Sequence, residues 1–130
     1  MYKKENHLTK VRDFSLVLNR GFWVNNQFLS LKVLDLAKNT AYFPKKEDPE
    51  KFVKQLKLAI NIGLKVSKNA VVRNRLKRQI REALRLSMQD NRIKDGFYLF
   101  FVAKPNIKEK NFAEISEEVG LLLQQAKVLK

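Results

Sequence analysis

An apolar residue recurs at every fourth position between residues 72 and 84, and a cationic residue follows each one. The apolar series is Val72, Leu76, Ile80 and Leu84. The cationic series is Arg73, Lys77, Arg81 and Arg85. Side chains spaced by four lie on one side of an α-helix, and a shift of one residue turns the side chain by about 100° around the axis. The pattern therefore predicts a helix over residues 69–88 with a buried apolar stripe and a cationic face beside it.

The positive charge of the chain is concentrated around this helix. The 130 residues include 27 Lys and Arg against 13 Asp and Glu, a formal net charge of +14. Residues 65–85 hold eight cations and one acid, Glu82, which is half of that excess. The eight cations are Lys65, Lys68, Arg73, Arg75, Lys77, Arg78, Arg81 and Arg85. Charge that only keeps a protein in solution needs no such focus, whereas a dense patch is typical of a surface that binds a polyanion.

The choice of residues on this face favours phosphate as the partner. Like charges four residues apart destabilise a helix by a few tenths of a kcal/mol per pair, and an anionic partner relieves that repulsion. Arginine outnumbers lysine, and guanidinium groups bind phosphate through paired hydrogen bonds and stack on bases. Asn74 widens the polar face. We interpret this helix as a nucleic-acid contact; the alternative is a solvated face without a partner.

In the first half of the chain, the pattern predicts a helix, a strand and a long connection. The helix spans residues 9–20, with Thr9 as its N-cap and Gly21 at its end. The strand spans residues 24–36, where polar and apolar residues alternate in part. Residues 37–56 are mixed in charge, contain two prolines and form a connection of unusual length, which we interpret as an insertion.

In the second half, two further strands and a last helix accompany the cationic helix. Residues 57–65 alternate as a strand, and residues 97–103 are apolar on both faces, which predicts a strand inside the sheet. Asn111 caps the last helix, and Glu114 completes a capping box. The apolar side of that helix consists of Phe112, Ile115, Val119, Leu122, Ala126 and Leu129.

Together these elements predict one small α+β domain over residues 1–130. Its expected form is a mostly antiparallel central sheet packed with helices, in the order α-β-β-(β)-α-β-α. The chain has no apolar run near the roughly 18–20 residues that span a bilayer. Its first ten residues are polar and resemble no signal peptide, so we expect a cytoplasmic protein without membrane association.

The composition also excludes several kinds of chemistry. There is no Cys, and His7 is the one histidine, so neither a disulfide nor a usual zinc site is expected. The acids are scattered along the chain, and the four glycines form no phosphate-binding loop. We therefore expect no catalytic residue and no metal site in the chain, which argues against an autonomous nuclease.

At residues 65–85, KVSKNAVVRNRLKRQIREALR, the sequence resembles the signature of the bacterial ribonuclease P protein family. The core of the resemblance is AVVRNRLKR at residues 70–78, followed by Arg-Glu at residues 81–82. Leu-Thr-Lys at residues 8–10 and Asp-Phe at residues 13–14 resemble the family's opening motif. Gly21 and the Ala-Lys-Pro of residues 103–105 also match.

The resemblance implies a function as the accessory subunit of the ribonuclease P endoribonuclease. In that family the protein assembles with a catalytic RNA, and the RNA uses Mg²⁺ to remove the 5′ leader from precursor tRNA. The implied partners are the ribonuclease P RNA and precursor tRNA, with no obligate protein partner. The implied fold contains a left-handed βαβ crossover, against the general rule.

The resemblance also implies two RNA-binding regions. The residues that match the RNA-facing motif are Arg73, Asn74, Arg75, Lys77, Arg78 and Arg81, and the charge pattern adds Lys65, Lys68 and Arg85. Phe14 and Phe28 match aromatics of a cleft between the first helix and the sheet that holds the leader; core packing is the alternative for both. Leu18 and Leu31 stand where many relatives have an aromatic residue.

Two binding functions remain as alternatives. One is a general module for single-stranded or structured RNA, because residues 96–102 faintly resemble the aromatic strand of RNA-recognition domains. The other is a duplex-DNA binder that places residues 69–88 in a major groove. Competition among precursor tRNA, mature tRNA and duplex DNA would separate these possibilities.

Overall fold

The computed structural model describes residues 6–42, 49–89 and 92–130. The longer helices are α1 (Val11–Arg20), α3 (Ala70–Gln89) and α4 (Phe112–Gln125), and α2 (Pro49–Phe52) is a single turn. The strands are β1 (Phe22–Asn25), β2 (Leu29–Asp35), β3 (Leu56–Asn61) and β4 (Phe97–Ala103). Two 3₁₀ helices span Ala37–Tyr42 and Pro105–Glu109.

The four strands form one sheet in the order β1-β2-β4-β3. β4 pairs antiparallel with β2 and parallel with β3, and β1 pairs antiparallel with β2. This arrangement confirms the α+β class, the mostly antiparallel sheet and the interior position of residues 97–103. Because parallel neighbours cannot be joined by a tight turn, α3 forms the crossover between β3 and β4. The left-handed sense of that crossover stays a prediction.

Helices cover the two faces of the sheet unequally. On one face, α3 and α4 pack over the sheet through a core that includes Leu76, Ile80, Leu84, Ile115, Val119 and Leu122. On the other face, Val17 of α1 packs with Leu34 and Tyr98 in a smaller cluster. The predicted apolar stripe of α3 is therefore confirmed as core, and α1 leaves part of its own face of the sheet open.

The strand predicted over residues 24–36 is wrong as a single element. The chain reverses after Asn25 and forms a hairpin, in which the N–H of Asn26 donates to the carbonyl of Leu29 over 3.0 Å. The polar run Asn-Asn-Gln at residues 25–27 supplies this turn. The faces of the β2 side chains are fixed by pairing with β4 along the whole strand and with β1 over residues 30–33.

Two predicted boundaries also differ from the structure. Thr9 is not the N-cap of the first helix; Lys10 occupies that position and makes no capping hydrogen bond. The strand predicted over residues 57–65 ends at Asn61, where its pairing with β4 stops. The predicted insertion at residues 37–56 stays a prediction, and residues 43–48 of it lie outside the described part of the chain.

The predicted capping box of the last helix is confirmed, and α3 also begins with a side-chain cap. The Asn69 Oδ1 accepts a hydrogen bond from the N–H of Val71 over 2.8 Å at the start of α3. Asn111 and Glu114 form the reciprocal capping box of α4. Both caps satisfy N–H groups that an isolated helix end leaves unpaired.

A buried carboxylate connects α4 to the hairpin. The Glu118 Oε2 accepts from the backbone N–H of Phe28 over 2.6 Å and from that of Leu29 over 3.0 Å. Glu118 is buried, and two charge-assisted hydrogen bonds satisfy one of its oxygens at the start of β2. This contact holds the turn of the hairpin against the helical layer.

Replacement of Gly21 and of Gly120 by alanine should change the stability of the protein in opposite directions. A Cβ at Gly21 would lie 2.5 Å from the Val17 carbonyl oxygen and 2.8 Å from that of Val33, whereas a Cβ at Gly120 would meet nothing within 4 Å. We expect Gly21→Ala to destabilise the protein by about 1–3 kcal/mol through overpacking. Gly120→Ala in α4 should stabilise it by up to about 1 kcal/mol through helix propensity. Urea unfolding followed by circular dichroism measures both, and equal effects would contradict the close packing at Gly21.

Candidate nucleic-acid interface

The cationic side of α3 faces away from the sheet. Because Leu76, Ile80 and Leu84 are buried, the side chains about half a turn away lie in solvent. Arg78 and Arg81 are exposed, and neither forms a hydrogen bond or ion pair with any residue in the described ranges. A shallow depression on this side is lined by Val71, Asn74, Lys77, Arg78 and Arg81. These guanidinium groups can therefore bind an anion without first breaking a contact within the protein.

Two other arginines of α3 are anchored to the backbone on either side of the helix. The Arg73 Nη1 donates to the Ser67 carbonyl over 2.9 Å, and the Arg75 Nη2 donates to the Lys108 carbonyl over 3.2 Å. A guanidinium has five N–H donors, so each retains donors for a phosphate while its position is restricted. The predicted cations therefore include both anchored and unanchored groups.

Arg85 differs from the other cations predicted on this face. It donates two hydrogen bonds to the Glu82 carboxylate, over 2.6 and 2.9 Å. These hydrogen bonds lower the pKa of Glu82 and raise the pKa of Arg85. The charge of Arg85 is thus balanced within the helix, which makes it a weaker candidate for a phosphate contact than Arg78 or Arg81. Lys65 and Lys68 are exposed in the segment before α3.

A second surface lies beside α1 on the opposite face of the sheet; we call it the α1 strip (Phe14, Leu18, Lys32, Phe100 and Val102). The rings of Phe14 and Phe100 meet edge to face, with centroids 5.6 Å apart and planes at 82°. Lys32 is the cross-strand partner of Phe100, and its Nζ donates to the Leu18 carbonyl over 2.8 Å. The strip thus combines partly exposed aromatic surface with a positioned cation, which suits unpaired bases and their phosphates.

The structure does not bring Phe28 to this strip. Phe28 is 4% exposed and belongs to the core under α3 and α4, and the Lys110 Nζ lies 5.4 Å from its ring centroid. Leu31 is fully buried in the same core. Phe14 therefore lies on the α1 strip as predicted, whereas Phe28 and Leu31 lie on the other face and offer no ring or side chain to a base there.

Three residues of the α1 strip were missed by the sequence reasoning, namely Lys32, Phe100 and Val102. The signal for two of them was alternation along β4, where Phe100 and Val102 face α1 and Phe101 faces the larger core. Because β4 is apolar on both faces, that alternation cannot be recognised without the positions of the helices.

Neither a candidate metal site nor a candidate membrane-spanning helix is found among the described residues. Among them, no group of three or more His, Cys, Asp or Glu side chains is arranged to hold a metal ion. No described helix is both long enough and apolar enough to cross a membrane. His7 forms an isolated bridge with Leu58 at the start of the fold.

The fold and the concentrated positive charge define a small α+β protein with a candidate nucleic-acid interface. The family model described as Ribonuclease P matches residues 2–127, and the chain belongs to that family. It is therefore the accessory protein subunit of the ribonuclease P endoribonuclease, which processes tRNA, and it associates with the ribonuclease P RNA.

Known proteins similar to this chain agree with that assignment. The ribonuclease P protein component of Nostoc punctiforme is 33% identical, with 96% of this chain and 94% of the relative covered. That of a Pseudanabaena species is 31% identical over 99% of this chain and 97% of the relative. The structure of the Staphylococcus aureus RNase P protein shares the fold, with a TM-score of 0.76, 22% identity and coverage of 98% of this chain and 100% of that one.

Removing the two unanchored arginines should weaken RNA binding without unfolding the protein. We expect Arg78→Gln with Arg81→Gln to reduce affinity for ribonuclease P RNA about tenfold or more and to lower the salt slope of binding by about 1 to 2, because each phosphate contact releases counterions. Glutamine preserves helix propensity. Filter binding across a salt series measures both effects.

The control for this pair removes the same charge elsewhere. Lys94 and Lys127 are exposed and lie outside α3. Lys94→Gln with Lys127→Gln changes the net charge equally, so an equal loss of affinity would show that total charge, rather than α3, determines binding.

Proposed function

We propose that this chain docks α3 on the catalytic RNA of ribonuclease P and holds the 5′ leader of precursor tRNA along the α1 strip. The observation that carries the proposal is that the sheet separates a cationic surface from a partly aromatic one. The unanchored arginines of α3 face outward on one side, and Phe14, Lys32 and Phe100 lie on the other. One small domain can then contact two different RNA segments at once.

The α3 surface would act through charge. Arg78 and Arg81 place positive charge where two RNA molecules have to approach each other, and this charge reduces the repulsion between their phosphates. Arg73 and Arg75, held by backbone carbonyls, would fix the orientation of the helix on the RNA. A complex stabilised in this way needs less Mg²⁺ to reach the same affinity for substrate.

The α1 strip would act through stacking. Bases without a pairing partner stack on aromatic rings with little dependence on sequence, and the contribution is about 1–3 kcal/mol per base. The exposed edge of the Phe14 and Phe100 pair offers such a surface, and Lys32 can neutralise an adjacent phosphate. This mode of binding suits leaders of different sequences.

The chemical step belongs to the RNA in this proposal. We assign no catalytic residue to the chain, and Mg²⁺ would be held by the RNA subunit. The chain contributes binding, orientation and charge, which lower the free energy of the enzyme–substrate complex rather than supply a reacting group. The proposal includes a cytoplasmic location, the compartment in which bacterial precursor tRNA is made.

Loss of the two anchored arginines should abolish stimulation of the RNA at low magnesium. We expect Arg73→Ala with Arg75→Ala to leave a folded protein, since among the described residues each side chain bonds only to one backbone carbonyl outside α3. Cleavage of precursor tRNA by the reconstituted complex would fall toward the rate of the RNA alone, and high magnesium would restore it. Full stimulation by this variant at low magnesium would refute the docking of α3.

Replacement of Phe14 should distinguish precursor from mature tRNA. Phe14→Leu keeps an apolar side chain against Phe100 but removes the ring, so we expect the complex to bind precursor about fivefold or more weakly, as loss of one stacked base implies, with mature tRNA unchanged. Phe28→Leu, under α4, is the control and should leave the ratio of the two affinities unchanged. Equal weakening of both substrates by Phe14→Leu would contradict a leader-binding role.

A further inference from the structure

Trp23 presents an exposed ring on the same side of the sheet as the α1 strip. It lies on the edge strand β1, is 45% exposed and is the cross-strand partner of Lys32. Directly paired residues of antiparallel strands project on the same face. The Lys32 Nζ lies 5.1 Å from the centroid of the Trp23 ring, which confirms that both side chains share that face.

Lys32 connects this ring to the strip already described. Its ammonium group donates to the Leu18 carbonyl and at the same time lies over Trp23, so the cation is held between the end of α1 and the edge strand. On its other side, Lys32 pairs with Phe100. Trp23, Lys32 and Phe100 therefore form one row across three adjacent strands, and the two aromatic residues are separated by two strand spacings, about 10 Å.

This row has the chemistry of a binding site for single-stranded nucleic acid. An exposed indole offers a large face for stacking, and an adjacent ammonium neutralises the phosphate that accompanies a stacked base. Leu18, which lies between the Phe14 ring and the edge of the sheet, is 51% exposed and has no ring to offer. The next aromatic surface in that direction is Trp23.

We propose that Trp23 and Lys32 form a second nucleotide subsite, which binds an unpaired base of the leader farther from Phe14 than the base at the α1 strip. The inference rests on the proposed function, because it extends the same path of the leader across the sheet. Stacking makes the subsite tolerant of base identity. Its contribution depends on leader length, because a short leader does not extend to the edge strand.

The fluorescence of Trp23 tests this subsite directly. It is the single tryptophan of the chain, so it is the one indole in a complex of this protein with RNA. We expect precursor tRNA with a long leader to quench the emission of the assembled complex, and mature tRNA to leave it unchanged. No change with precursor, or the same change with mature tRNA, would overturn the proposal.

A matched pair of variants on β1 provides the second test. Phe22 is 49% exposed but points to the opposite face of the strand, so Phe22→Leu is the control for Trp23→Leu. We expect Trp23→Leu to weaken binding of long-leader precursor about fivefold or more, the lower end of the effect of one stacked base. Phe22→Leu, short-leader precursor and mature tRNA should show no such loss.

Abasic substitutions along the leader identify the base concerned. At the position that stacks on Trp23, removal of the base should weaken binding to the original protein and have no further effect in Trp23→Leu, because both changes remove the same contact. If the losses add at every position, Trp23 does not stack on the leader and the proposal is wrong.

Failure of this inference can be distinguished from failure of the proposed function. If Phe14→Leu weakens precursor binding and Trp23→Leu does not, this inference fails and the proposed function stands; if neither has an effect, the proposed function fails. Sedimentation measures the oligomeric state of the free protein and so tests the alternative that the exposed edge of β1 contacts a second copy. A dimer that dissociates on Trp23→Leu would assign the ring to that contact and overturn the subsite.

Discussion

Burial of the apolar stripe of α3 is the constraint that determines the cationic surface proposed to face RNA. Leu76, Ile80 and Leu84 are fully buried, and each contributes about 1.5–3 kcal/mol relative to an exposed side chain. Repulsion between like charges four residues apart is smaller, a few tenths of a kcal/mol per pair. The core therefore holds the helix in place against the repulsion of its own cations, and the stripe decides which cations point outward.

The pairing of β3 and β4 explains why the cationic side of α3 and the α1 strip lie on opposite sides of the sheet. A parallel pair requires a crossover, and α3 is that crossover, so it occupies one face of the sheet together with α4. Among the described residues, the longer helix on the other face is α1, which has ten residues, and shorter segments around Leu8, Leu36 and Val53 pack beside it. A helix of that length cannot cover four strands, and the uncovered part of the sheet becomes the α1 strip and the edge beyond it.

Features set by nearby residues could be predicted from the sequence, and features set by distant pairing could not. The four-residue period of α3, the capping box at Asn111 and the apolar run of β4 each depend on a few consecutive residues. The hairpin depends on a turn within residues 24–36, whose alternation of polar and apolar residues also fits a single strand. Once that turn is overlooked, the face of each following side chain is uncertain, since a shift of one residue exchanges the two faces of a strand. For this reason Phe28 could not be assigned to its face.

The α1 strip is a second example of side chains that come together through pairing between distant residues. Phe14 is recognisable because it belongs to a short motif, but Lys32 and Phe100 become neighbours through the register of β2 and β4, and Trp23 joins them through the register of β1. None of these contacts leaves a local pattern in the sequence. The cationic residues of α3, by contrast, lie within one helix, and their spacing in the sequence is enough to predict that they share a face.

Under the proposed function the two surfaces would use different kinds of interaction, and this difference would suit a subunit that meets one constant RNA and many substrates. Phosphate contacts depend steeply on salt and are strong where several cations act together, which is the mode proposed for α3. Stacking on aromatic rings depends little on sequence and adds base by base, which is the mode proposed for Phe14, Phe100 and Trp23. A fixed partner can be held by a dense array of charges, whereas variable leaders are better held by contacts that accept any base. The sheet separates the two surfaces, so each could change without disturbing the other, because the side chains of α3 and those of α1 pack into different cores.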